Sequence, residues 1–426
     1  MLHGRGSNAL PDRQSAPPPS RPCGSIHLPP TAWGGGYRVP RRRRPSRLAI
    51  LPPGQGGRWI GPQDRDEGGV FSRVSKIAFM AIAICLAAPA HANKATDIIN
   101  GAIDGFIRPG YESFHETTSD LSQVQTALCA TPSQAALDQA RKTFGATVDA
   151  WSRVEIIRFG PVTEQNRLER VLFWPDRKGT GLRQVQAALA ARDANATDAA
   201  RLAGKSVAMQ GLGALEYVLY GTGSEALAAG DTYRCAYGAA IAGNLDTIAS
   251  ELDTAWADPN GFAKTWSTPA PDNPLYRDGT EAVTELMDVF VTGTELVRDV
   301  RLGGFLGKEP KADKPRQALF WRSGKTVDAL AGNLAGLQAL LEASKLAGAL
   351  PADQAWLGGS ANFEFANAQK AAAGAEGAIA DVLADPEKRA KLAYFGLVTS
   401  SLSDIFGAQM SGALGLTAGF SSLDGD

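Results

Sequence analysis

The chain has 426 residues, 44% of them apolar and 20% charged, with 43 Lys and Arg against 44 Asp and Glu. The near-neutral total hides an uneven distribution. Residues 1–92 carry 13 of the cations and 4 of the acids, leaving 30 against 40, a balance near −10 that excludes nucleic acid as a partner.

Residues 1–69 do not read as a domain. Pro17 to Pro19, Gly34 to Gly36 and Arg41 to Arg44 interrupt any apolar periodicity, so this stretch is expected to be a non-native or disordered extension. Residues 70–92 read as a secretory signal: Arg73 and Lys76 precede the apolar run Ile77 to Leu86, and small residues then offer cleavage after Ala90 or Ala92. The run is too short to span a bilayer, so no transmembrane segment is expected after cleavage. The expected location is the periplasm or cell surface. Only Cys129 and Cys235 follow the signal, and in an oxidising compartment they are most simply a disulfide, worth about 3–5 kcal/mol in the chain-entropy picture.

From there the chain shows three-and-four apolar spacing and little alternation, the pattern of an all-α protein. A first helix is expected over 96–129, kinked near Pro109. Thr131-Pro132-Ser133-Gln134 reads as an N-cap followed by Pro at the first helical position. Leu137, Phe144, Val148 and Trp151 give that second helix its apolar face. An aromatic loop holds Phe173-Trp174-Pro175-Asp176, and Leu182, Val185 and Leu189 mark a third helix. Asp198 is expected to cap a fourth, carrying Gly211 to Gly221, and Asp231 a fifth reaching Trp256. The prolines of 259–279 suggest a linker between one helical bundle over 93–258 and a second over 280–426. The second half reads as helices near 280–301, 322–347, 361–384 and 386–407, and an interdomain cleft is expected.

The residue inventory excludes several chemistries. His115 is the single histidine after residue 92, and Ser119 stands where a zincin would need its second histidine. Glu112 to His115 is one half of a di-iron pattern whose other half is absent. No nucleophile elbow or phosphate loop occurs, and Arg322-Ser323-Gly324-Lys325-Thr326 lacks the upstream glycine of the latter. What remains is a polar set among apolar neighbours: Arg158, Arg167, Arg170, Trp174, Asp176, Glu216, Arg322, Ser323 and Asp404. Glu216 stands out in GLGALEYVLYG, because a carboxylate beside a buried helix stripe needs a cation, a donor or a proton. Arg158 and Arg322 are the candidate partners.

The strings IIRFGPV (156–162), LFWPDRKGTG (172–181), GLGALEYVLYG (211–221), YRCAYG (233–238) and GLTAGFSSLDGD (415–426) together resemble the imelysin family. The resemblance implies a bacterial periplasmic or surface protein of two helical bundles, linked to iron physiology, with a peptidase label and a cysteine pair at Cys129 and Cys235. It also implies a Gly-x-His-x-x-Glu signature, which falls on Gly211, Gly213 and Glu216. Gly213 therefore stands at the histidine position, and a lone Glu216 holds a transition metal only weakly. The expectation is a non-catalytic binding protein with a small ligand or metal ion, iron or another divalent cation, near Glu216. Ligand contacts are expected from Gly213, Arg158, Trp174, Asp176, Arg322 and Ser323. A cleft lined by Arg158, Arg322 and Trp174 favours an anion. An atypical metallopeptidase and an interaction protein working with envelope partners are the alternatives.

Overall fold

The computed structural model describes residues 94–416. The expected extension and signal segment lie outside them, as does most of the terminal GLTAGFSSLDGD string. Among the described residues every regular element is helical. None of these helices is long and apolar enough to cross a membrane.

The long helices are α1 (Arg108–Ala130), α2 (Gln134–Val154), α3 (Thr180–Ala191), α4 (Leu212–Tyr220), α5 (Thr232–Ala257), α6 (Gly279–Glu295), α7 (Thr326–Ser344), α8 (Trp356–Ala373) and α9 (Pro386–Asp404). Helix α1 packs against both α2 and α5, α8 pairs with α9, and α7 lies against α2 and α8. Burial explains the pairing: Tyr111, Phe114, Leu121 and Leu128 of α1 and Leu137, Phe144, Val148 and Trp151 of α2 are essentially inaccessible. The apolar core runs without a break from Ala95 to Met410. Cys129 and Cys235 form a disulfide that ties the end of α1 to the start of α5.

The kink expected near Pro109 takes a specific form. The helix widens into a π turn over Ile103–Ile107, where the Arg108 N–H donates to the carbonyl of Ile103. Pro109, which has no N–H to donate, follows directly on this widened turn inside a continuous helix.

Several boundaries differ from expectation. The cap of α2 is Ser133, whose side chain accepts from the Ala136 N–H, so Pro132 lies outside the helix rather than inside it. Asp198 caps only the short helix Ala199–Ala203; Glu216 sits on the separate α4, which opens at Gly211. Helix α3 buries Gly181, Val185 and Ala188, while Leu182 stays 37% exposed, a rotation of the face by one position. Asp231 caps α5 as expected. The proline-rich stretch includes a short helix, Phe262–Ser267, whose Trp266 is fully buried and packs edge-on against Phe159.

Candidate functional site

Helix α4 is only nine residues long, too short to persist on propensity alone. Its ends are held by side chains from elsewhere. At the C-terminus Arg141 donates to the Leu219 carbonyl at 3.0 Å, and Arg234 donates to those of Val218 at 3.1 Å and Thr222 at 2.7 Å. These guanidiniums satisfy carbonyls that the helix leaves unpaired and complement its dipole. At the N-terminus Gly211 lies against the backbone of the short helix Arg167–Val171: a Cβ there would stand 2.3 Å from the Val171 carbonyl oxygen and 2.6 Å from that of Arg170. Only glycine permits this approach. The neighbouring Gln210 is buried and accepts from Arg170 Nε at 3.1 Å, while Arg170 also donates to Asn244 at 2.9 Å.

Glu216 projects from α4 and is 4% exposed. Its Oε1 accepts from the Arg322 N–H at 3.1 Å, the Ser323 N–H at 2.9 Å and the Ser323 hydroxyl at 2.9 Å. Its Oε2 lies 3.9 Å from Arg322 Nη1. Of the two candidate partners, Arg322 is the one in place. Burial pushes the Glu216 carboxyl up from its ordinary range, against the opposing pull of Ser323 and Arg322.

The turn that supplies these donors is fixed from both sides. Phe320 and Gly324 adopt positive φ, and the Lys325 N–H closes the turn on the Phe320 carbonyl at 3.1 Å. The Thr326 hydroxyl donates to the Leu319 carbonyl at 2.7 Å. Phe320 packs edge-on against Phe144, and Lys325 Nζ lies 3.0 Å from Asp149, both on α2.

Beside Glu216 lies a cavity of about 810 Å³, walled by residues from 172–217 and from 295–322. Glu216, Gly213, Trp174, Asp176 and Arg322 all line it. Ser323 reaches it only through its bonds to Glu216. Arg158 is exposed and does not line it. The Asp176 carboxylate accepts from the N–H groups of Thr180 at 2.6 Å and Gly181 at 2.8 Å, so it caps α3 and stiffens the aromatic loop. Arg322 lies 4.5 Å from the Trp321 ring centroid and 5.3 Å from that of Tyr217. The Tyr217 hydroxyl accepts from Gln186 at 3.0 Å.

Sequence reading missed Tyr217, Trp321, Arg177, Arg298, Asp299 and Arg316, all of which line the cavity. Arg177 lay inside a singled-out loop and Trp321 beside a singled-out arginine, so adjacency was their signal. Arg298 and Asp299 had none. Arg167, singled out as polar and buried, instead pairs with Glu251 at 3.0 Å.

The donor set does not suit a resident metal ion. Glu216 Oε1 is taken by three donors, and Gly213 brings no ligand atom. Among the described residues no group of three or more His, Cys, Asp or Glu side chains could hold one. At Gly213 an added Cβ would meet nothing within 4 Å, so this position opens directly on the cavity.

Comparison with known proteins agrees with this architecture. An imelysin-like protein from Psychrobacter arcticum 273-4 superposes with a TM-score of 0.58 at 19% identity, covering 77% of this chain and 98% of its own. A protein from Parabacteroides distasonis ATCC 8503, described as an iron-regulated protein A precursor, superposes with a TM-score of 0.58 at 12% identity, covering 76% and 95%. No curated protein matches the chain. The sequence pattern of the family described as Imelysin, which bears a peptidase designation, matches residues 107–403, nearly the whole described fold and all of the cavity wall. The chain is therefore a member of the imelysin family.

Proposed function

We propose that the protein is an exported, non-catalytic binding protein of the periplasm or cell surface, taking a small ligand in the cavity beside Glu216 where two helical halves meet. The observation that carries this reading is the cavity itself. Its volume of about 810 Å³ falls within the range of small-molecule sites, and aromatic and charged groups converge on it. A connection with iron or envelope physiology is supported by a structural neighbour described as iron-regulated. The side chains do not suit bare metal, so iron would arrive inside an anionic chelate. Peptide hydrolysis has no support in the residues, since Glu216 is occupied and Gly213 offers no imidazole.

One observation favours a partly structural role for Glu216: its partners lie 106 and 107 residues away, so it fastens distant segments. Titration calorimetry of the full chain with Fe(III), Zn(II) and ferric citrate separates these roles. Heat is expected with ferric citrate and not with the bare ions. Silence with all three overturns the iron connection, and casein hydrolysis that chelator abolishes would revive the peptidase reading. N-terminal mass spectrometry of the exported protein is expected to find cleavage after Ala90 or Ala92; a form retaining Arg41 to Arg44 would overturn export by this signal.

A further inference from the structure

We infer that the ligand is a small organic dianion with a flat apolar part, recognised by Arg177 and Arg316 and laid against Trp321 and Trp174. This rests on the cavity being a ligand site and adds the chemistry of its occupant.

Four arginines and four carboxylates line the cavity, Arg177, Arg298, Arg316 and Arg322 against Asp176, Glu216, Glu295 and Asp299. Formally they cancel, but the acids are spent inside the protein. Asp176 caps α3, and Glu216 holds the 320–325 turn. Asp299 makes two bonds with Arg298, at 2.7 and 2.6 Å, and Glu295 is also engaged. Two of the cations are not spent. Among the described residues no carboxylate pairs with Arg177 or Arg316; the Arg316 guanidinium has only the Trp321 ring, 5.9 Å away. Trp321 thus carries two guanidiniums, with Arg322 at 4.5 Å on the same ring. Trp174, across the sequence in the other wall, has Arg301 at 5.7 Å. Arg316, without an acid partner and against an aromatic face, and Arg177, without an acid partner on the same lining, select paired oxyanions on a planar skeleton. Arg158, the cation expected from sequence, plays no part because it does not line the cavity.

The test is calorimetry on metal-stripped full chain with isophthalate and with isophthalamide, its neutral diamide. Isophthalate is expected to bind one per chain, to weaken as salt rises, and to leave the diamide at least about tenfold behind. Arg177→Gln and Arg316→Gln are each expected to weaken isophthalate about tenfold while preserving the thermal transition, since both side chains are exposed. Gly213→Trp fills open space and is expected to abolish binding. Diamide binding as tight as isophthalate and lost in Gly213→Trp would overturn the dianion while keeping the cavity as the site. Binding unaffected by Gly213→Trp would overturn the site as well. No binding of either probe, or isophthalate binding unchanged in the double arginine variant, also overturns the inference.

Discussion

Glu155 with Arg301 and Glu216 with Arg322 are both buried carboxylates that meet an arginine more than a hundred residues later, yet they use it differently. In the first pair the charges face each other directly: Glu155 is 4% exposed and Arg301 2%, and the guanidinium bonds both carboxylate oxygens. Asn333 supports the carboxylate, donating to Glu155 at 3.4 Å and to the Ser152 carbonyl at 2.7 Å. Both carboxylate oxygens are thus taken. Arg301 keeps two buried nitrogens, Nε and Nη1, without a hydrogen-bond partner, and burial pushes its guanidinium down from the ordinary range. In the second pair Glu216 is satisfied mainly by backbone N–H groups and a hydroxyl, with the guanidinium only at 3.9 Å. Arg322 therefore remains turned toward the cavity between two rings. A carboxylate fed by backbone donors can anchor a turn while its arginine stays a looser, second partner.

The largest expected effect breaks the first pair. Arg301→Met leaves Glu155 charged without its cation and is expected to cost about 3–5 kcal/mol, read from chemical denaturation. Adding Glu155→Leu should recover most of it, because a desolvated pair is nearly replaceable by apolar packing. Failure to recover would mean that the pair does more than neutralise itself.

Next comes Gly211→Ala, expected to cost about 1–3 kcal/mol because its Cβ would run into the Val171 carbonyl. The same change at Gly213, two residues on, should instead stabilise by up to about 1 kcal/mol, since the space is open and alanine suits a helix better. Equal effects at the two glycines would contradict the geometry of α4.

A pH series sharpens the second pair. The folded-state value for Glu216 is raised, so its contribution to stability is fully present below the ordinary carboxylate value and is lost as pH rises through the folded value. Glu216→Gln keeps an acceptor oxygen and removes that slope. The difference in Tm between variant and wild type is expected to move in the variant's favour from ~pH 4 to ~pH 8. Movement the other way would mean that the anion is the favoured buried form and that the two pairs are alike.

Most of this fold was legible because it depends on local periodicity. The faces of α2 and α5, the Asp231 cap and the placement of Glu216 on an apolar stripe all follow from neighbours within two turns. Cys129 and Cys235 were readable as the two cysteines after residue 92. Glu155 was legible too, though unread: it continues the buried line of Val148, Trp151 and Ser152 on α2, where an acid demands a partner. The cavity's wall was not legible in the same way. Arg298, Asp299 and Arg316 lie more than seventy residues after α4, and tertiary contacts such as the Arg301–Glu155 pair bring the first two to it. Arg158 shows the converse error, since a cation next to aromatic residues in sequence ends up exposed.

The position of Glu216 also sets an order of assembly. When Glu216 is added to the growing chain, the residues that will satisfy its carboxylate are still 106 and 107 residues from being made. Until they emerge, α4 can hold its place through Arg141, earlier in the chain, and Arg234, a few residues later. The buried acid must stay hydrated or protonated in the meantime. A nascent chain stopped within 259–279 would thus carry one wall of the cavity and an unsatisfied Glu216, and the pocket can close only once the chain has been made through Ser323.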